Sequence, residues 1–202
     1  MKALIWDLDG TLVDSYKIIV RVAQEALKPY YKISKKDIHE HMIKNSVKHF
    51  FDTMSEKLTV SLETLYDHYH NFSNQVDMSE YQLMEGVKEL LDTLSQKGYT
   101  HYIYTHRGLS TYNILKNHHI LHYFKDIVTS DDGFSRKPEP DALLYLIQKY
   151  HLDKDTTYYI GDRTLDVKCG INAGVQTIYI GDEPNHGANH RFESVIDVKS
   201  IL

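Results

Sequence analysis

The sequence predicts an α/β fold, a doubly wound parallel sheet carrying an inserted all-helical cap domain. Three observations predict it. Five short runs rich in β-branched and aromatic residues punctuate the chain, at 3–8, 100–104, 126–129, 157–160 and 176–180. Segments of helical periodicity separate most of them, so successive strands are joined by crossovers and pair in parallel. One long stretch, residues 15–80, contains no convincing strand.

The first run, Ala3-Leu4-Ile5-Trp6, is apolar throughout, as a strand covered on both faces must be. It stops at Asp7 and Asp9, too soon and too charged for a signal peptide or a membrane span. Ligands of open α/β sheets bind beyond the carboxyl ends of strands, and Asp7-Leu8-Asp9-Gly10-Thr11 occupies such an end. Carboxylates two residues apart project the same way from extended backbone, and Gly10 permits a sharp turn directly after them. Two adjacent carboxylates repel unless a cation or a proton separates their roles. A divalent metal meets that demand and lets an anionic phosphate approach an anionic nucleophile. An acidic turn without chemistry is the plainer alternative. A calcium loop fails on spacing, since the glycine comes too early and Ile18 stands where the bidentate glutamate belongs.

The insertion reads as helical through Ile18, Val22 and Ala26, then Val47, Phe50, Phe51 and Met54, then Leu62, Leu65 and Tyr69. Pro29 ends the first of these helices. The expected division is therefore a core of residues 1–14 and 81–202, with 15–80 as a cap over the mouth of the sheet. Beyond it, Val87, Leu90, Leu91 and Leu94 repeat at helical spacing up to a stop at Lys97-Gly98. The strand at 100–104 runs into Thr105-His106-Arg107-Gly108. A hydroxyl and the amides of a following helix start would hold phosphate oxygens there; alternatively Thr105 or Ser110 simply caps that helix.

The strand at 126–129 leads to Arg136-Lys137-Pro138-Glu139-Pro140, then to a helix marked by Leu143, Leu144, Ile147 and Tyr150. A lysine pinned by the prolines that follow it, beside gathered carboxylates, would neutralise phosphate charge, although most Lys-Pro pairs lie on surfaces. A second acidic pair follows the strand at 157–160, with Asp162 at its end and Asp166 at the next helix start. Carboxylates drawn from two strand ends suit magnesium, which prefers oxygen ligands. Asp166 also suits a helix N-terminus by itself. Cys169 reads as a small buried residue, and 186–190 as a surface loop.

Composition narrows the function. A formal charge of −5 over 202 residues disfavours nonspecific nucleic-acid binding. One cysteine precludes an internal disulfide, which fits a reducing, cytoplasmic setting. The 16 tyrosines are scattered, as packing residues are. His118 and His122 have zinc-ligand spacing but no HExxH glutamate, so a polar helix face is the simpler reading. No Gly-x-Gly, Walker A or Gly-x-Ser-x-Gly element occurs.

The four loops together resemble, in order and spacing, the four motifs of the haloacid dehalogenase-like hydrolase superfamily. The course from Glu85-Gly86-Val87 through Lys137-Pro138 to Ala173-Gly174-Val175 looks like its phosphoglycolate-phosphatase-like branch. The resemblance covers the whole core, while the insertion matches only in position and length. It implies a Rossmann-like core and a Mg²⁺-dependent phosphatase acting on a small phosphorylated metabolite, with neither nucleic acid nor membrane as partner. It further implies Asp7 as nucleophile and metal ligand. Asp9 would be the general acid–base, lending its backbone carbonyl to the metal. Thr105 would bind the phosphoryl group with the His106 amide, and Lys137 would orient Asp7. Asp162 would hold the metal and Asp166 support it. Many relatives carry a small polar residue after the motif-two hydroxyl, where this chain has His106 and then Arg107; Arg107 would bind a substrate anion or pair with a surface carboxylate. Arg163 is bulkier than the serine common in its place. A phosphosugar mutase shares every motif, and an idle binding or regulatory protein on the same fold remains an alternative. A dehalogenase would lack Asp9. Lys44, Asn45 and Lys48 are the insertion's candidates for setting specificity.

Overall fold

The computed structural model describes residues 2–184 and 187–202. The chain opens with β1 (Ala3–Trp6) and a two-residue β2 (Val13–Asp14), then runs through helices α1 (Tyr16–Leu27), α2 (Lys35–Lys44), α3 (Val47–Leu58) and α4 (Leu62–Ser73). It continues as β3 (Gln82–Leu83), α5 (Val87–Gln96), β4 (Thr100–Tyr104), α6 (Ser110–Asn117), β5 (Phe124–Val128) and α7 (Asp141–Tyr150). It closes with β6 (Thr157–Gly161), α8 (Thr164–Ala173), β7 (Gln176–Ile180) and β8 (His190–Phe192). The fold is α/β. Two compact units result, Met1–Asp14 with Gln82–Leu202, and Ser15–Tyr81.

The first unit holds a six-stranded sheet in the order β5-β4-β1-β6-β7-β8, and every pair in it is parallel. The chain builds outward from β1 on one side through β4 and β5, then returns and builds on the other side through β6. Strand order therefore reverses at β1, and the carboxyl end of β1 is a topological switch point. All four β1 residues are fully buried, which is what a central parallel strand requires. The second unit closes around its own core, in which Phe50, Phe51, Ile38 and Leu65 are buried to 1% exposure or less.

The structure differs from the sequence reading at identifiable places. The first strand ends at Trp6 because the Leu8 carbonyl turns to accept the amides of Thr11, Leu12 and Val13. A short antiparallel ladder of β2 and β3 joins Val13 to Leu83, too brief to leave a periodic signal. A helix at Lys35–Lys44 was not separable by apolar periodicity, since among its described side chains only Ile38 and Met42 are buried. The segment read as a surface loop up to 190 is partly strand: His190 opens β8, because Asn189 locks onto β7. Its side-chain oxygen accepts from the Thr177 amide at 2.8 Å and the Thr177 hydroxyl at 3.0 Å. His186 lies outside the described residues. His118 caps α6, whereas His122 sits in a separate 3-10 turn, so they do not share a helix face. Cys169 is fully buried, and burial pushes its thiol up to about 12.

One buried contact makes stability pH-dependent. The Trp6 indole donates to His101 Nδ1 at 3.0 Å, so the neutral imidazole carries its proton on Nε2. Phe124 packs edge-on against the same ring. Burial, opposed in part by the Leu91 backbone, lowers the His101 pKa to about 4 from 6.5. The unfolded chain binds this proton more readily than the folded one, so stability is full above pH 6.5 and falls as pH drops from 6.5 towards 4. Denaturant melts should show about 2 kcal/mol lost to this residue by pH 5, and His101→Gln should flatten that slope. An unaltered slope in the variant would contradict the assignment.

Candidate active site

Three adjacent strands deliver the acidic and hydroxyl residues to one sheet edge. Trp6 registers with Ile103 of β4 and Ile160 of β6. The residues that follow, Asp7, Thr105 and Asp162, therefore emerge from neighbouring carboxyl ends, with strands about 4.8 Å apart. The Asp7 amide still donates to the Ile160 carbonyl at 2.8 Å, which fixes its backbone to β6. Gly10, at φ 84°, provides the left-handed turn after Asp9.

Lys137 lies at the centre. Its ammonium donates to Asp7 Oδ1 and Asp166 Oδ1, each at 2.8 Å, and its side chain is fully buried. The rings of Tyr104 and Tyr159 flank it, with centroids 4.8 and 5.3 Å from the nitrogen. Burial opposes the lysine charge, but Asp166 and Asp7 outweigh it and raise the pKa above the ordinary lysine value. Burial also pushes the Asp7 carboxyl up to about 6; Lys137 counteracts this and the Asp166 charge adds to it. Asp166, equally buried, is held below the ordinary value, since Lys137 and Arg163 together overcome its desolvation.

Asp166 is fixed on both oxygens. Oδ1 also accepts the Tyr159 hydroxyl at 3.1 Å, and Oδ2 accepts the Arg163 amide at 3.1 Å. A Cβ on residue 161 would stand 2.4 Å from the Asp166 side chain, so only glycine leaves the carboxylate its place. Asp162 Oδ1 accepts from the buried Thr11 hydroxyl at 3.2 Å. Ligand oxygens of Asp7, Asp162 and Asp166 all lie within 4.8 Å of one another. Hard oxygen donors drawn from two strand ends, with like charges brought close, fit a small divalent cation such as Mg²⁺. The Asp9 carboxylate is not in this trio; it pairs with Arg107, whose Nη2 reaches Oδ1 at 2.7 Å and whose Nε contacts both oxygens at 3.1 Å.

The β4 loop is built tightly. Thr105 is buried, and its hydroxyl accepts the Arg107 amide at 3.1 Å while keeping its own hydrogen to donate. Neither Thr105 nor Ser110 caps α6; the Asp131 carboxylate takes the Leu109 amide at 2.9 Å instead. His106 Nε2 accepts the Lys137 amide at 2.9 Å, which places the imidazole proton on Nδ1. Burial, followed by the charges of Lys137, Arg136 and Arg163, drives the His106 pKa far down, so the ring is neutral. It anchors the lysine loop through its side chain.

Several contributors to the site are not marked in the sequence. Tyr159 and Tyr104 frame Lys137, Thr11 holds Asp162, and the His106 side chain pins Lys137. Alternation along β6 was the signal available for Tyr159, since one face of that strand must meet the site. Arg107 pairs with Asp9, a motif aspartate, rather than with a remote surface carboxylate. Of the insertion candidates, Asn45 Nδ2 donates to the His41 carbonyl at 3.2 Å and Lys48 pairs with Asp52 at 2.7 Å. The Lys44 side chain lies outside the described residues.

A sequence model of the haloacid dehalogenase-like hydrolases matches residues 4–185. The chain belongs to this family. It is 26% identical over 200 residues to phosphoglycolate phosphatase of Vibrio cholerae, covering 93% of this chain and 87% of that protein. It is 28% identical over 180 residues to pyrophosphatase PpaX of Bacillus pumilus, covering 88% and 82%. Among solved structures, a hydrolase from Streptococcus pneumoniae TIGR4 aligns at 31% identity, TM-score 0.63, over 100% of this chain and 99% of that one. Membership of the phosphoglycolate-phosphatase-like branch makes the chain a phosphatase.

Proposed function

We propose that this chain is a Mg²⁺-dependent phosphohydrolase that removes phosphate from a small phosphorylated metabolite by way of a phosphoryl group carried on Asp7. The observation that supports it most is the buried Lys137 bridge between Asp7 and Asp166 beside the three-carboxylate cluster. Phosphoglycolate and its close analogues are the first substrates to try, given the relatives.

In this reading Asp7 and Asp162 would hold the cation, together with the Asp9 backbone carbonyl, and Asp166, held by Lys137, Tyr159 and the Arg163 amide, would support that shell. When bound, the cation supplies positive charge that offsets repulsion between the phosphate and the carboxylates. Asp7 Oδ2, the oxygen that Lys137 leaves open, attacks phosphorus. The bond from phosphorus to the ester oxygen breaks, and Asp9 delivers a proton to that oxygen. Asp9 then takes a proton from water as the water attacks phosphorus, which releases inorganic phosphate and restores the Asp7 carboxylate. Lys137 neutralises charge on Asp7 and on the transferring oxygens, and Thr105 donates its hydroxyl hydrogen to one of them, helped by the His106 amide. Two carboxyls with opposite duties need different surroundings. Asp7 has the buried lysine, whereas Asp9 lies beside a guanidinium that favours its ionised form and must turn from Arg107 to carry a proton.

Among the described residues no helix is long and apolar enough to cross a membrane. We place the protein in the cytoplasm, since its single cysteine allows no internal disulfide.

The test is phosphate release from aryl and small alkyl phosphates with and without Mg²⁺. Chelation should abolish release and Mg²⁺ should restore it. Equal rates in chelator would contradict the metal assignment. Isomerised sugar phosphate in place of free phosphate would shift the reading to a mutase, and inactivity across the panel to a binding protein.

A further inference from the structure

The lysine loop offers few backbone handles. Pro138 and Pro140 carry no N–H, and the Glu139 amide donates within the loop, to the Arg136 carbonyl at 3.0 Å. From 137 to 140 the Lys137 amide is the remaining donor that can tie the loop to another element, and His106 Nε2 accepts it at 2.9 Å. The flanks are held through their carbonyls. Ser135 accepts the Tyr104 hydroxyl at 3.2 Å, Pro138 the Asn172 side-chain amide at 2.9 Å, and Glu139 the Cys169 thiol at 3.2 Å. At the lysine backbone itself the restraint is the imidazole. This restraint has a cost, since His106 Nδ1 is buried and has no hydrogen-bond partner among the described residues. Packing against the edge of Tyr104, 6.0 Å away between centroids, would be served as well by a ring with no spare N–H.

We propose that His106 is a positioning residue for phosphoryl transfer, its imidazole fixing the Lys137 backbone so that the ammonium is held against Asp7. The inference deepens the reading of Lys137 as the group that offsets charge on Asp7 and on the transferring oxygens, and rests on it. The ammonium stands 2.8 Å from Asp7 Oδ1 and 2.8 Å from Asp166 Oδ1. Both contacts are kept together only while the lysine backbone keeps its place, and a displacement of about 1 Å suffices to slow chemistry about 100-fold. The ring can act this way only as an acceptor. An imidazolium would turn an N–H toward the Lys137 N–H and release the loop. Burial, followed by the charges of Lys137, Arg136 and Arg163, keeps the proton off Nε2, so the tie is permanent and not switched by pH. One residue thereby joins two loops, its backbone next to Thr105 and its ring at Lys137.

The experiment measures kcat and KM for an aryl phosphate with Mg²⁺, and inhibition by inorganic phosphate and by orthovanadate, in wild type, His106→Gln, His106→Asn and His106→Phe. Glutamine carries its amide at the reach of Nε2, asparagine only at the reach of Nδ1, and phenylalanine has no acceptor. His106→Asn and His106→Phe should lower kcat by about 100-fold and leave KM nearly unchanged. They should weaken vanadate, which mimics the transferring phosphoryl group, by the same factor and leave phosphate inhibition as it was. His106→Gln should recover most of kcat and keep the pH profile of the wild type. A glutamine variant no better than asparagine would overturn the proposal. So would a raised KM at unchanged kcat, or equal weakening of phosphate and vanadate, either of which would make His106 a phosphate binder. A limb of the pH profile lost in His106→Gln would make it a proton carrier, and would overturn the proposal too. Thermal melts report which variants are folded, and the comparison of glutamine with asparagine decides the matter if His106→Phe is not. An absence of Mg²⁺-dependent release in the wild type would instead overturn the phosphatase reading beneath it.

Discussion

Asp7→Asn should lower phosphate release by about 10⁶-fold, the scale on which loss of an attacking group acts, while the protein stays folded. The substitution keeps the shape of a side chain that is 2% exposed and removes only its charge. Burial already disfavours that charge, since the Asp7 carboxyl is pushed up to about 6. Lys137 keeps its second partner, Asp166, at 2.8 Å, so the buried ammonium is not stranded. Activity and melting temperature should therefore separate, the first lost and the second held or raised. Retained turnover in Asp7→Asn would mean that another group attacks.

Asp9→Asn carries the next largest expected effect, 10²- to 10⁴-fold (roughly the worth of general acid–base catalysis). The amide can neither deliver a proton to the ester oxygen nor take one from water. The loss should be greatest with poor leaving groups and smallest with an aryl phosphate, whose leaving oxygen needs little protonation. A uniform loss across leaving groups would assign Asp9 to holding the loop and Arg107, and unchanged turnover would pass its role to another residue.

The legible and illegible parts of this molecule divide by the range of the contacts involved. β1 could be read because a central parallel strand has no polar face, and its apolar run ends where the acidic loop begins. The same local logic marked Asp162 and Asp166 after β6, and Lys137 ahead of Pro138 and Pro140. Each of these positions is announced by its own neighbours in sequence. The ladder of β2 and β3 and the edge strand β8 had no such announcement. They are two or three residues long and owe their existence to partners about 70 and 10 residues away, respectively. α2 was hidden for a related reason, because a helix with two buried residues has hardly any periodicity to read.

Within the site, the residue types were visible but their pairing was not. Nothing near Arg107 in sequence says that its guanidinium meets Asp9, a separation of 98 positions. Nothing near His106 says that its ring, rather than only its amide, serves the lysine loop 31 positions on. Tyr159 looked like one more strand tyrosine until β6 was placed beside β1, where its hydroxyl reaches Asp166. Sequence thus reveals which groups a chemistry needs, and the sheet order decides which of them restrain one another.

The central claim is that phosphate passes through a covalent bond to Asp7. The most direct measurement is acid quench of wild-type enzyme during turnover of a substrate labelled in its phosphoryl group, followed by borohydride reduction and peptide mapping. The account predicts label bound to the protein, discharged by hydroxylamine, with reduction converting Asp7 alone to homoserine and no label in Asp7→Asn. Active enzyme that never carries label, or carries it on a different residue, would contradict it.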